Sequence, residues 1–108
     1  MRLTIQPAAR ADVLKQMQHY SEVGREDVAE RFFNGIRQSI DEMMLSPNAG
    51  SPRQFDSAVL AGMRSWPIKG FDAVRIYYLA NQDVVTIVRI LHGRRDVEGI
   101  FDSHDEDL

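Results

Sequence analysis

A stripe of apolar side chains at helical spacing runs through residues 25–45 and constrains the fold of this chain more than any other feature of its sequence. Its members recur every three or four residues: Val28, Ala29, Phe32, Phe33, Ile36, Ile40, Met43 and Met44. A helix with such a stripe must bury it against another layer of the protein. The pattern therefore predicts an amphipathic helix packed onto a sheet through Phe32, Phe33, Ile36 and Ile40, and its aromatic and methionine content is typical of a core.

A second helix is predicted over residues 7–23, before the first one. Its apolar positions lie three or four residues apart, with Leu14 beside them: Ala9, Val13, Met17 and Tyr20. Pro7 suits the first helical turn, where its missing N–H is not needed. Gly24 is a typical helix stop. Two amphipathic helices joined by so short a connection predict an antiparallel helical hairpin.

The remaining pattern predicts strands. Residues 2–6 alternate apolar and polar positions, and residues 63–68, 73–80 and 84–91 are rich in strand-forming residues. Residues 81–83 are short enough for a β-hairpin connection, whereas the proline and glycine of residues 46–56 exclude a helix there. Trp66 is expected in core or hairpin packing, and Pro67 near an edge or strand end. We predict an α+β domain: an N-terminal strand, a helical hairpin and a three-stranded antiparallel meander, forming one antiparallel sheet.

The length of 108 residues fits one domain, which we assign to residues 1–101. Residues 96–101 are expected to form a helical turn or to run along the sheet. Residues 102–108 are an acidic tail, for which we expect flexibility. The absence of cysteine excludes disulfides and cysteine-based zinc sites.

Other features bound the function. The three histidines, His19, His92 and His104, lie too far apart in sequence to predict a metal site, and no cofactor motif is present. No apolar run approaches the length of a signal peptide or a membrane span, so we expect a cytoplasmic protein without a membrane partner.

The charge is unevenly distributed along the chain. Residues 61–95 contain six basic and two acidic residues, a local charge of +4, whereas residues 96–108 contain six acidic residues and no basic one. This pattern suits either an acidic partner or an ordinary solvated surface. The net charge of −3 argues against direct, sequence-specific nucleic-acid binding.

Three local signatures occur in a fixed order: residues 47–53 (PNAGSPR), residues 62–68 (GMRSWPI) leading into residues 74–78 (VRIYY), and residues 88–96 (VRILHGRRD). Together with the predicted elements, they resemble the RelE/ParE superfamily of toxins from type II toxin–antitoxin systems. The closing stretch is similar to the His-Gly-x-Arg-Asp ending of ParE-type toxins, the plasmid stabilisation proteins. The resemblance implies the RelE/ParE-like toxin fold.

The resemblance implies two mechanisms. RelE-type toxins are ribosome-dependent mRNA endonucleases that use strand lysines, two arginines and a tyrosine near the C-terminus. In this chain the matching positions are Lys69, Arg75, Arg95 and, at the tyrosine position, Phe101. Metal-free RNA cleavage needs groups that take and give a proton, and a phenyl ring does neither. The pattern therefore favours the ParE side, whose members poison DNA gyrase.

The favoured hypothesis is a ParE-like toxin that needs no cofactor and no catalytic site. For target binding we predict His92, Arg94, Arg95 and Phe101. A cognate ParD-like antitoxin, of the ribbon–helix–helix type, is expected to bind Arg64, Arg75 and Arg89 through acidic residues. The alternatives are a metal-independent endoribonuclease using Arg75, Arg95 and Lys69, or an inactive relative that only binds antitoxin.

Overall fold

The structure, a computed structural model, describes residues 1–55, 58–93 and 100–101. In chain order, its helices and strands are β1 (Arg2–Ile5), α1 (Pro7–Glu22), α2 (Glu26–Leu45), β2 (Ser51–Pro52), β3 (Arg64–Ile68), β4 (Phe71–Asn81) and β5 (Val84–His92). Short 3₁₀ turns lie at Pro47–Ala49 and Ala58–Leu60. The predicted α+β class and the predicted order of elements are confirmed. Neither helix of the described part is long and apolar enough to cross a membrane.

The five strands form one sheet in the order β1-β5-β4-β3-β2. The predicted meander is present, because β3, β4 and β5 pair antiparallel to one another. The sheet as a whole is mixed, however, since β1 pairs parallel to β5, with Ile5 opposite Ile87. The sequence did not predict the two-residue strand β2. This strand pairs antiparallel to β3 at the edge of the sheet, with Ser51 opposite Ser65.

Local signals at the helical hairpin behave as predicted. Pro7 is the first residue of α1. Gly24 follows the C-terminal end of α1 and has a φ of +74°. The Gly24 N–H donates to the Ser21 carbonyl at 3.0 Å, and the Arg25 N–H donates to the Tyr20 carbonyl at 2.8 Å. This pair of hydrogen bonds is the Schellman arrangement, which requires the left-handed conformation that glycine adopts without strain.

The apolar stripe of α2 lies against one face of the sheet. Phe32 and Met43 are almost fully buried there, and Ile40 packs partly buried beside them. Phe33, in contrast, is 43% exposed and does not face the sheet as predicted. One residue of helix turns a side chain by about 100°, so two adjacent phenylalanines cannot both point at the sheet. The Arg37 guanidinium lies 6.0 Å from the centre of the Phe33 ring instead.

The helix α1 contributes less to this core than its spacing suggests. Ala9 is buried, and Val13, Met17 and Tyr20 pack partly buried against the core. Leu14 is 67% exposed, because it lies one residue round the helix from Val13 and so off the face towards the sheet. Aromatic contacts join the two helices to the start of β4, with the Phe32 ring edge-on to Phe71 at 5.1 Å. Trp66 packs against the same core, as predicted.

Two features hold α2 close to the β3–β4 turn. A Cβ at Gly35 would lie 2.7 Å from the Lys69 carbonyl oxygen, so this approach needs glycine. The buried Ser39 hydroxyl accepts a hydrogen bond from the Lys69 N–H at 2.9 Å. A buried hydroxyl and a turn N–H thus satisfy each other.

The opposite face of the sheet, called here the second face, carries its own apolar cluster. Leu60, Met63, Tyr77, Leu91 and Phe101 form this second cluster. The sequence predicted the helical hairpin on one face only and expected residues 96–101 to form a helical turn or to run along the sheet; of these, residues 100–101 are helical and the others lie outside the described residues. Among the described residues, this cluster covers only part of the second face, and the candidate site lies beside it.

The two adjacent phenylalanines of α2 provide the first test. Phe32→Ala should lower the free energy of unfolding by about 3–5 kcal/mol, because it removes a buried ring and leaves a cavity. Phe33→Ala should cost less than about 1 kcal/mol, because that ring is partly in water already. Urea unfolding of both variants measures the difference. Equal losses would mean that α2 is rotated relative to the sheet.

Candidate functional site

The open part of the second face is built around β4. Alternate residues of a strand point to opposite faces, so Val74, Ile76 and Tyr78 join the helix-side core while Arg75 and Tyr77 point the other way. On the neighbouring strand, Ser65 pairs with Tyr77. The strand pattern thereby places a serine, an arginine and a tyrosine on one side of the sheet.

Arg75 is anchored by Ser65. Its Nε–H donates to the Ser65 hydroxyl at 2.8 Å, and its Nη2 donates to the Ser65 carbonyl at 3.4 Å. Ser65 is fully buried, so the anchor does not exchange freely with water. A guanidinium has five N–H donors. The anchor therefore fixes the plane of the group and leaves donors for a ligand.

Arg53 joins Arg75 from the segment between β2 and β3. Its guanidinium lies 5.6 Å from the centre of the Tyr77 ring, a cation–π contact. Both arginines and Tyr77 line one pocket of about 350 Å³, whose wall also includes Asp72. We call this the arginine pocket. Arg53 was not among the site residues predicted from the sequence, although the signature of residues 47–53 ends on it.

Burial raises the pKa of Tyr77, and the positive charges of Arg53 and Arg75 offset part of that increase. The side chain is only 2% exposed. A buried phenol with a raised pKa holds its proton at neutral pH, so it is a poor general base.

The residues assigned to the nuclease alternative do not come together in the described part of the chain. Lys69 is exposed in the β3–β4 turn and does not line the arginine pocket. Arg95 lies outside the described residues. Of that set, only Arg75 lies in the pocket.

The arginines predicted to bind the antitoxin also lie in separate places. Arg64 donates from Nη1 to the Gly50 carbonyl at 2.8 Å. Arg89 forms a two-point pair with Asp12, from Nε at 2.8 Å and from Nη2 at 2.7 Å. The hydrogen bond to Asp12 raises the pKa of Arg89 further above its ordinary value. Each arginine thus has a partner within the chain, and the three do not form one surface.

Among the residues predicted to bind the target, His92 is exposed at the end of β5. It lines a groove of about 610 Å³ between α1 and β5, together with Lys15 and His19. Arg94 and Arg95 lie outside the described residues. Phe101 is only 1% exposed, and its ring lies 4.8 Å from that of Phe55 and 5.5 Å from that of Tyr77. In this structure, Phe101 supports the second face instead of forming a contact surface.

No group of three or more histidine or acidic residues that could hold a metal ion occurs within residues 1–55, 58–93 and 100–101. The candidate site consists of the arginine pocket, which includes Tyr77, and the groove between α1 and β5.

The sequence matches the family described as "ParE toxin of type II toxin-antitoxin system, parDE" over residues 3–97. The chain belongs to this ParE toxin family. No curated protein matches the chain in sequence.

Two solved structures share the fold of this ParE-family chain. One is described as the chromosomal ParDE toxin–antitoxin system from P. aeruginosa, with a TM-score of 0.70 and 18% identity, covering 87% of this chain and 97% of that chain. The other is described as a YoeB/ParE toxin from Agrobacterium tumefaciens, with a TM-score of 0.55 and 15% identity, covering 87% of this chain and 100% of that chain. At these identities the likeness shows the fold alone.

The raised pKa of Tyr77 predicts how stability changes in alkali. The folded chain holds the phenolic proton more tightly than the unfolded chain, whose tyrosines titrate near pH ~10. Stability from Tyr77 is therefore present below that pH and is lost as the pH rises through the folded pKa. The Tyr77→Phe variant has no phenol at this position, so its free energy of unfolding should fall less between neutral and alkaline pH than that of the wild-type chain. Urea unfolding at about pH 8 and about pH 11 measures it, and equal losses in both proteins would contradict the assignment.

Proposed function

We propose that this ParE-family chain is the toxin of a type II toxin–antitoxin pair and acts by binding a protein target, DNA gyrase. Membership of the ParE family over residues 3–97 carries this proposal. The identity of the target rests on the resemblance in the closing stretch, residues 88–96. The proposal includes a role in plasmid stabilisation, which the same resemblance implies, and a cytoplasmic location, which rests on the absence of a long apolar run in the sequence.

Three observations favour binding over RNA cleavage. Phe101 stands where nuclease relatives place a tyrosine, and its buried ring has no proton to transfer. Tyr77 is close to the arginines, but its raised pKa keeps it protonated. Lys69 does not line the arginine pocket. The described residues thus supply positive charge for an anion without a matched general acid and base.

For the target, we propose the surface around His92, together with Arg94 and Arg95. His92 is exposed, and its groove has polar and basic walls formed by Lys15 and His19. The rim of a protein interface is typically polar and accessible to solvent, and the exposed His92 with Lys15 fits such a rim. Phe101 is proposed to support this surface indirectly, because its ring packs against Phe55 and Tyr77 on the second face.

The antitoxin is proposed to be ParD-like, with a ribbon–helix–helix DNA-binding part and an acidic segment that binds the toxin. The first of the two solved structures is described as a ParDE system, which supports a partner of this kind. Among the proposed contacts, Arg75 is the most available, since Arg64 and Arg89 already bind Gly50 and Asp12. An acidic segment at Arg64 or Arg89 would have to compete with those internal partners.

The first functional test separates target binding from RNA cleavage. The purified protein should inhibit DNA supercoiling by gyrase and should leave messages intact in a translating extract. His92→Ala should weaken gyrase inhibition by about 5- to 30-fold, the loss of one important contact. The control Asp83→Ala lies beyond the opposite end of β5 and should leave inhibition unchanged. Codon-positioned cuts that disappear in Arg75→Ala would establish the nuclease alternative instead.

The second functional test concerns the antitoxin. Arg75→Glu should weaken the toxin–antitoxin complex by about 2–5 kcal/mol, mostly through faster dissociation, because it replaces attraction with repulsion at a half-buried position. Arg31→Glu makes the same charge change on the exposed side of α2 and should have little effect. Dissociation rates at two salt concentrations measure both. An unchanged rate for Arg75→Glu would move the antitoxin site away from the second face.

A further inference from the structure

The arginine pocket is a small, partly enclosed space with two fixed positive charges. Ser65 fixes the Arg75 guanidinium through its buried hydroxyl, and the Tyr77 ring holds the Arg53 guanidinium from one side. Neither arginine has a carboxylate partner within hydrogen-bonding distance among the described residues. Two arginines so placed, without an acidic partner of their own, form a prepared site for an anion.

The charge of the pocket selects among anions. Among the described residues of its wall, Arg53 and Arg75 contribute two positive charges and Asp72 contributes one negative charge. One monovalent anion balances these three charges, whereas a phosphate dianion would also face repulsion from Asp72. The guanidinium fork matches the two oxygens of a carboxylate. The volume of about 350 Å³ is at the lower limit of small-molecule pockets and suits a side chain.

We propose that the arginine pocket binds the side-chain carboxylate of one glutamate or aspartate in the antitoxin's acidic segment, with Arg53 and Arg75 as the paired donors. This inference rests on the proposed function, because it needs an antitoxin. It adds Arg53, which the sequence did not indicate, and it places the contact on the second face. It also gives Arg75 a different role from Arg64 and Arg89, whose hydrogen bonds to Gly50 and Asp12 stabilise the fold.

The first experiment tests the pocket without any antitoxin. N-acetyl-glutamate methylamide is titrated into the full chain while NMR follows the Nε–Hε signals of the arginines. We expect the signals of Arg53 and Arg75 to shift in one saturable process. The neutral N-acetyl-glutamine methylamide should leave them unchanged. Larger shifts with inorganic phosphate, or with a short single-stranded RNA, would overturn the carboxylate assignment in favour of a polyanion.

Variants separate this pocket from general positive charge. Arg53→Gln should abolish the saturable shift, and Arg53→Lys should restore it only in part, because lysine keeps the charge but not the fork. The matched control is Arg37→Gln, since Arg37 lies over Phe33 much as Arg53 lies over Tyr77, but on α2. Thermal unfolding of each variant shows that the fold persists. An unchanged titration in Arg53→Gln would overturn the proposal.

The second experiment connects the pocket to the antitoxin, supplied as the product of the neighbouring reading frame. Arg53→Gln should speed dissociation of the complex by about ten- to a hundred-fold, and Arg37→Gln should not. If the wild-type chain forms no complex at all, the proposed function fails. If the complex forms and Arg53→Gln dissociates at the wild-type rate, the proposed function stands and the pocket proposal fails.

The acidic residues of segment 102–108 are an alternative source of the carboxylate. A chain ending at residue 101 distinguishes this source from the antitoxin. We expect the shortened and full-length chains to bind N-acetyl-glutamate methylamide with the same affinity. Tighter binding by the shortened chain would mean that the tail competes for the pocket, and it would overturn the antitoxin as the source of the carboxylate.

Discussion

The burial of strand β4 on both faces is the constraint on which the rest of this structure depends. Tyr77 and Tyr78 are neighbours in sequence, point to opposite faces, and are 2% and 0% exposed. A strand covered on both sides must have an apolar layer on each. The helices cover the Tyr78 side, while Phe101 and the second cluster cover the Tyr77 side. Because the described residues of this second layer cover the face only in part, the arginine pocket lies beside β4.

The ion pair between Asp12 and Arg89 stabilises the end of β5, where β1 no longer pairs with it. Strand β1 pairs with β5 only as far as Ile87, so on that side the end of β5 has no neighbouring strand among the described residues, although β4 still pairs with its other side. The Asp12 carboxylate accepts the Ile90 N–H at 3.0 Å as well as two donors of Arg89. A side chain of α1 thus satisfies an edge that would otherwise invite another strand. Removing Asp12 would leave both a half-buried guanidinium and a backbone donor without this partner.

Periodicity predicted what depends on local spacing and missed what depends on distant contacts. The repeats in α2 and the β-rich run of β4 specify those elements and their order, so the fold class could be predicted. Periodicity could not decide which of Phe32 and Phe33 faces the sheet, since both fit a wide stripe. A two-residue strand such as β2 has too few residues to show a pattern, and the parallel pairing of β1 with β5 joins segments about 80 residues apart, which local spacing does not reveal. The role of Arg53 was not predictable, because it arises from a contact with Tyr77, 24 positions along the chain.

The same contacts support the proposal that this face binds a partner. Catalysis by proton transfer needs groups whose pKa values lie near the working pH, yet the burial that stabilises β4 moves the pKa of Tyr77 upwards. Binding needs only donors held in place, and burial improves that. Ser65 is buried by the packing of the sheet, so the Arg75 that it anchors loses little further freedom when a ligand arrives. The burial that stabilises β4 therefore disfavours Tyr77 as a general base and favours the proposed role of Arg75 in binding.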